Sequence, residues 1–137
     1  MAQVLLTKTF EFSSAHRYFR PEWSDEENYR AFKEASRSHG HGHNYTLEVT
    51  LAGQVDGQTG MVINLTDVKA VVQRVLEQLD HKNLNKDVPY FVGRVPTTEN
   101  VAVVLWELLD GKFPQGKLYR VLLREDEDLY VERYGDQ

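Results

Sequence analysis

Two runs with apolar residues at helical spacing follow one another in the middle of the chain, and segments of alternating character flank them on both sides. In "LTDVKAVVQRVLEQLD" (65–80), Val68, Val71, Val72, Val75, Leu76 and Leu79 form one stripe. In "TTENVAVVLWELLDG" (97–111), Val101, Val104, Leu105 and Leu108 form another. Such stripes must be buried against something. The flanking segments supply it. "VLLTKTFEFSSAH" sets Phe10, Phe12 and His16 against Thr9, Glu11 and Ser13. "HGHNYTLEVTLAG" sets Tyr45, Leu47, Val49 and Leu51 against Asn44, Thr46, Glu48 and Thr50. "KLYRVLLRED" and "DLYVERY" close the chain as two strands joined through an acidic turn. The order strand, strand, helix, helix, strand, strand predicts an α+β fold with an antiparallel sheet and both helices on one face.

Capping signals agree with these boundaries. Asn64 or Thr66 caps the first helix, Thr97 or Thr98 the second, and Gly111 lies past the end of the second. "DGQTG" turns the chain after the second strand, and "MVIN" reads as a short extended piece. The stretch "RPEWSDEENYRAFKEASRSHG" is polar and irregular, with a short helix after Ser24 whose acidic residues suit a helix N-terminus. An excursion this long between two strands usually carries function or is disordered. No repeat, linker or low-complexity tract interrupts residues 1–137, so a single domain is expected.

Composition excludes several classes of function. A net charge of −5 gives no global basic field for nucleic acid or anionic lipid. The absence of cysteine removes disulfides, thiolate metal sites and a cysteine nucleophile. The start, "MAQVLLTKTFEF", breaks its apolar run at Lys8 and Glu11, which suits neither a signal peptide nor a membrane span. A cytoplasmic location is the default expectation.

The chemistry is concentrated in "RSHGHGHNY", where His39, His41 and His43 occupy alternate positions. If the second strand reaches back to residue 41, His41 and His43 share the face of Tyr45 and Leu47. If the first strand reaches residue 16, His16 shares the face of Phe12. Three imidazoles from two neighbouring strands then converge, and three neutral imidazoles with an open fourth position make a catalytic rather than a structural zinc site. Glycines at 40 and 42 remove side chains that would crowd that point. Two alternatives stay open: a histidine-rich surface turn with incidental metal affinity, and a triplet of His39, His41 and His43. Elsewhere, Asp80–His81 is either a carboxylate-supported acid or base, or a favourable cation at a helix end. Taken alone, Thr97 and Thr98 read as capping residues, and Glu125 as the exposed end of a strand.

Taken in order, "FSSAHR", "SDEEN", "GHGHNY", "TGMVINLTDVK", "LDHKNLNKDVPYF", "TTENVAV" and "LYRVLLRED" resemble the 6-pyruvoyl-tetrahydropterin synthase and 6-carboxytetrahydropterin synthase family of the tunnelling fold. The stretches run from about residue 10 to residue 126, and "GHGHNY", "LDHKNL" and "TTENVAV" look closer to the 6-pyruvoyl type. The resemblance implies a T-fold with a four-stranded antiparallel sheet and two helices. It also implies subunits joined edge to edge into a barrel, a homohexamer of two trimers with sites at subunit boundaries. It places the zinc ligands on His16, His41 and His43, and an Asp–His pair for proton transfer on Asp80 and His81. The pterin anchor falls on Glu125, with Thr97 and Thr98 beside it. The implied reaction is the zinc-dependent conversion of 7,8-dihydroneopterin triphosphate to 6-pyruvoyl-tetrahydropterin with loss of triphosphate. Arg17, Arg20, Arg37 and Lys82 are candidates for the triphosphate by position only.

One position departs from the family pattern. Where the family carries a cysteine general base, "KEASRSHGHGHNY" places Ala35, and an alanine neither takes nor gives a proton. Three explanations stand. The alanine is an engineered replacement that traps substrate; or it is natural and another residue, such as the adjacent Glu34, serves as base; or the chain binds zinc and pterin without turnover. The alternatives to the synthase are accordingly the 6-carboxytetrahydropterin synthase of queuosine biosynthesis, an aldolase-type cleavage of dihydroneopterin, and a non-catalytic pterin-binding homologue.

Overall fold

The computed structural model describes residues 2–135. Two long strands, β1 (Gln3–His16) and β2 (His41–Gln54), bracket the polar excursion, which carries helix α1 (Asp25–Phe32). Helix α2 (Leu65–Leu76), the two-residue strand β3 (Lys82–Asn83) and the short helix α3 (Leu84–Asp87) follow. Helix α4 (Thr98–Leu109) and the hairpin of β4 (Lys117–Asp126) and β5 (Leu129–Tyr134) complete the chain. The expected four strands form one antiparallel run, β1-β2-β4-β5. The sheet has a fifth member that periodicity does not reveal: β3 adds to the outer edge of β1, parallel to it, with Ser14 opposite Lys82.

One face of the sheet is apolar. Phe12, Tyr45, Leu47, Val49 and Leu51 meet Val68, Val72 and Val75 of α2 and Val101, Val104 and Leu105 of α4 in one buried cluster. Leu118, Val121 and Leu123 of β4 join it, and a register shift at Thr50/Leu51 lets Leu118 and Val121 both point inward despite their odd spacing. The other face is polar: Thr7 bonds Thr50 through their hydroxyls at 2.8 Å, and Arg120 bridges Glu48 and Glu132 at 2.8 and 3.1 Å.

The caps fall where short polar side chains allow. Ser24 and Glu27 close a reciprocal capping box on α1. Asn64 rather than Thr66 caps α2, accepting from the Thr66 N–H, and Thr97 rather than Thr98 caps α4, accepting from the Asn100 N–H. The "MVIN" piece bends instead of extending, which buries Val62 and Ile63 beneath the sheet end.

Leu47 is fully buried at the centre of β2. Leu47→Ala should lower unfolding free energy by about 2–5 kcal/mol, read from the midpoint of a urea titration with unchanged slope.

Candidate functional site

The site begins with strand register. β1 and β2 pair along their full length, from Gln3 opposite Gln54 to His16 opposite His41, with Ser14 opposite His43. His16, His41 and His43 therefore share the core side of the sheet with Phe12 and Tyr45. The ring centroids of His16 lie 4.5 Å from His41 and 5.1 Å from His43, and those of His41 and His43 are 5.0 Å apart. One ring nitrogen from each falls within 4.8 Å of the others. Gly40 makes the approach possible: its φ is +69°, and a Cβ there would stand 2.9 Å from the His16 carbonyl oxygen.

Hydrogen bonds orient the rings. His16 Nδ1 lies 2.8 Å from the Pro96 carbonyl, so it carries the proton there and leaves Nε2 with a free lone pair. That Nε2 is 3.0 Å from His41 Nε2. Burial, then repulsion from His41, pushes the His16 pKa down from 6.5 to about 4; burial, then His43, lowers that of His41. Both imidazoles are thus neutral at physiological pH, the form that ligates metal. His43 Nε2 is buried without a hydrogen-bond partner, because Glu125 Oε1, 3.3 Å away, lies off its bonding direction. Two neutral imidazoles and an unpartnered third nitrogen form a donor set that fits a zinc-type divalent cation.

A carboxylate faces this set. Glu125, near the end of β4, has only 9% of its side chain exposed, and accepts a 2.9 Å hydrogen bond from the Thr98 hydroxyl at the start of α4. Thr98 is buried, whereas the Thr97 hydroxyl is engaged in capping. The arrangement offers a metal position at one end and a hydrogen-bond acceptor for ring N–H groups at the other.

Asp80 and His81 lie elsewhere. Asp80 Oδ1 accepts from the Ser13 N–H at 2.8 Å and pairs with His81 Nδ1 at 3.0 Å. The Ser13 bond, then His81, holds the Asp80 carboxyl below the usual range. The His81 N–H bonds Ser13 O at 2.6 Å, and a left-handed backbone (φ +59°) turns the chain into β3. The imidazole is 83% exposed and does not join the three clustered rings. It borders an open cleft of about 450 Å³ whose lining includes Ser13, Gly42, His43, Asn44 and Lys82. Of the cationic candidates, Arg37 is tied to Glu34, Arg20 to Glu22, and Arg17 to the Ser36 carbonyl and the Phe19 ring. His39, outside the cluster, lies in the turn before β2 and is exposed.

Tyr18, absent from the sequence-level candidates, belongs to the site. Its ring meets His16 edge-on at 5.2 Å and lies 6.3 Å from His41. Burial and the Glu125 carboxylate raise its pKa. Its backbone N–H donates to Ala35 O at 2.7 Å, fixing the alanine segment beside the strand end.

A helix-backed, mostly antiparallel sheet with imidazoles and a carboxylate gathered at one end of its strands places the chain in the α+β class with a candidate small-molecule site. Residues 5–136 match the 6-pyruvoyl tetrahydropterin synthase family. The human 6-pyruvoyl tetrahydrobiopterin synthase is 43% identical over 135 residues, covering 98% of this chain and 93% of that protein. The solved structure of Caenorhabditis elegans 6-pyruvoyl tetrahydropterin synthase superposes with a TM-score of 0.94 at 38% identity, covering 99% of this chain and 98% of that one. A dihydroneopterin monophosphate aldolase of Pyrococcus furiosus is 38% identical over 93 residues, covering 67% of this chain and 75% of that protein. The chain belongs to the 6-pyruvoyl tetrahydropterin synthase family, has its T-fold, and is an enzyme-family member of pterin biosynthesis. No helix among the described residues is long and apolar enough to cross a membrane.

His41→Ala and His43→Ala should each take bound zinc from near-stoichiometric to background in elemental analysis of dialysed protein. His39→Ala should retain it. Zinc retained by the first two variants would show that the three rings are not the binding set.

Proposed function

We propose that this chain is a zinc-dependent lyase that converts 7,8-dihydroneopterin triphosphate to 6-pyruvoyl-tetrahydropterin with loss of triphosphate. The observation that carries this reading is the pairing of three converging imidazoles with the Thr98-supported carboxylate of Glu125. Glu125 holds the N–H edge of the pterin ring, so the ring's side chain extends toward His16, His41 and His43. Zinc on these three residues would polarise the side-chain oxygens, acidify the neighbouring C–H bonds and stabilise enolate-like charge. A carbon-bound proton leaves, the electron pair expels triphosphate, and further proton transfers complete the ketone groups.

His81, oriented by Asp80, is the carrier proposed for those transfers. Its 83% exposure, away from the clustered imidazoles, supports a role in the site of a neighbouring subunit of a homohexamer. The outer edge of β5 and the part of β1 beyond β3 leave backbone groups for such edge pairing. The setting proposed for the assembly is the cytoplasm.

Ala35 favours a second reading. It sits in the short turn after α1, and its methyl group cannot exchange a proton. A chain with this residue either uses another base, carries out aldolase-type or 6-carboxytetrahydropterin chemistry, or binds pterin without turnover. Glu34, the adjacent carboxylate, is exposed and engaged with Arg37 and Tyr29.

Zinc-loaded protein incubated with dihydroneopterin triphosphate separates these outcomes by product analysis. The lyase reading expects 6-pyruvoyl-tetrahydropterin, with a rate increase of about 10²-fold or more in Ala35→Cys when a base is restored. Hydroxymethyl-dihydropterin instead would establish cleavage chemistry, and inert protein of both forms with tight pterin binding would establish a binding homologue. Glu125→Gln should weaken pterin binding by roughly tenfold or more, as a charge-assisted hydrogen bond is lost, with zinc content unchanged in the same preparation.

A further inference from the structure

Tyr18 is the aromatic residue that joins the two ends of the site. It leaves β1 two residues after His16, and its ring packs edge-on against His16 on one side and against Phe32 of α1, at 6.1 Å, on the other. Phe32 in turn stacks on Trp23 at 5.9 Å, and Arg20 lies over Trp23 at 5.6 Å. The excursion between β1 and β2 is thus packed onto the imidazole cluster through one side chain. The Tyr18 backbone is held as well, by its N–H bond to Ala35 O.

The polar end of Tyr18 completes the arrangement. Thr98 and the Glu125 carboxylate both act on the ionisation of its phenol, and the Thr98 hydroxyl donates to Glu125. A half-buried phenol contributes a flat apolar wall and a hydroxyl that either donates or accepts. Both properties suit a planar heterocycle whose N–H edge is held by a carboxylate. An acceptor such as a ring carbonyl, next to that edge, would take its hydrogen bond from the Tyr18 hydroxyl, because the Thr98 hydroxyl already donates to Glu125.

We propose that Tyr18 is a ligand-contacting, specificity-determining residue of this site: its ring forms the wall over His16 and His41, and its hydroxyl donates to the heterocycle edge next to the groups held by Glu125. The inference rests on the pterin reading of the site and adds to it a residue from the excursion. It gives that excursion a task. The loop presents an aromatic side chain to the ligand while its own helix stays outside.

The test measures neopterin affinity by fluorescence titration for the zinc-loaded full chain, Tyr18→Phe and Tyr18→Leu, with thermal midpoint and zinc content recorded for each. Tyr18→Phe keeps the ring and its packing, so it should fold as the unsubstituted chain does. Loss of one hydrogen bond should weaken neopterin binding by about 3- to 10-fold. Tyr18→Leu, which also removes the flat wall, should weaken it further, with zinc content held in both. Equal affinity in all three proteins would overturn the role of Tyr18 and leave the pterin reading standing. Failure of the unsubstituted chain to bind neopterin would overturn the pterin reading, and this inference with it. A loss of affinity that tracks loss of zinc in Tyr18→Phe would mean that the residue supports the metal position, not the ligand, and would also overturn the proposal.

Discussion

The pairing of β1 with β2 is the constraint on which the rest depends. It spans the whole of both strands, and its last pair sets His16 opposite His41. Because side chains alternate, a slip of one residue would turn Phe12 and His16 outward while Tyr45 and His43 stayed inward. The core resists that slip at several points. Tyr45 stacks on Phe12 at 4.9 Å, and Leu47, Val49 and Leu51 are wholly buried against α2 and α4. The hydrophobic core therefore determines where the imidazoles meet. The site's geometry is a consequence of burial further down the same two strands.

Convergence of three imidazoles has an energetic cost that the structure distributes. A buried histidine must find partners or remain neutral, and His16 does both, donating from Nδ1 to Pro96 O and keeping Nε2 unprotonated. His43 keeps a buried nitrogen without a partner. An unsatisfied buried nitrogen costs of order 1–3 kcal/mol, which a bound cation would recover. Glu125 stands close enough to offset positive charge at the site, yet its hydrogen bond runs to Thr98. One carboxylate oxygen is thereby committed to the protein and the carboxylate is oriented.

Much of this was legible in the sequence, for reasons that differ by element. β1, β2, β4, α2 and α4 announce themselves because one face of each is buried, and burial writes a period of two or 3.6 into the residues. The shared face of His16, His41 and His43 follows from the same parity once the strands are carried to their ends. β3 left no such trace. It is two residues long, and it exists because Asp80 and His81 bind the backbone of Ser13 across a large sequence separation. Tyr18 was missed for a related reason. It lies in irregular chain, where no periodicity assigns a side chain to a face, and its neighbours Thr98 and Phe32 come from two separate helices. That His81 stands outside the three-ring cluster was equally hidden, since a positive φ at a non-glycine residue has no reliable sequence signature.

The division of labour explains why Ala35 can coexist with a well-built site. The parts that would hold a metal and a ring edge belong to the sheet and to the start of α4, and their order derives from the core. Ala35 belongs to the excursion, and its carbonyl, not its side chain, bonds to Tyr18. That bond runs through the main chain and makes no use of the side chain at residue 35. The imidazoles and the Thr98–Glu125 pair thus rest on the sheet and α4, and residue 35 reaches them through its carbonyl and Tyr18. None of the bonds that place His16, Thr98 and Glu125 uses the side chain of residue 35.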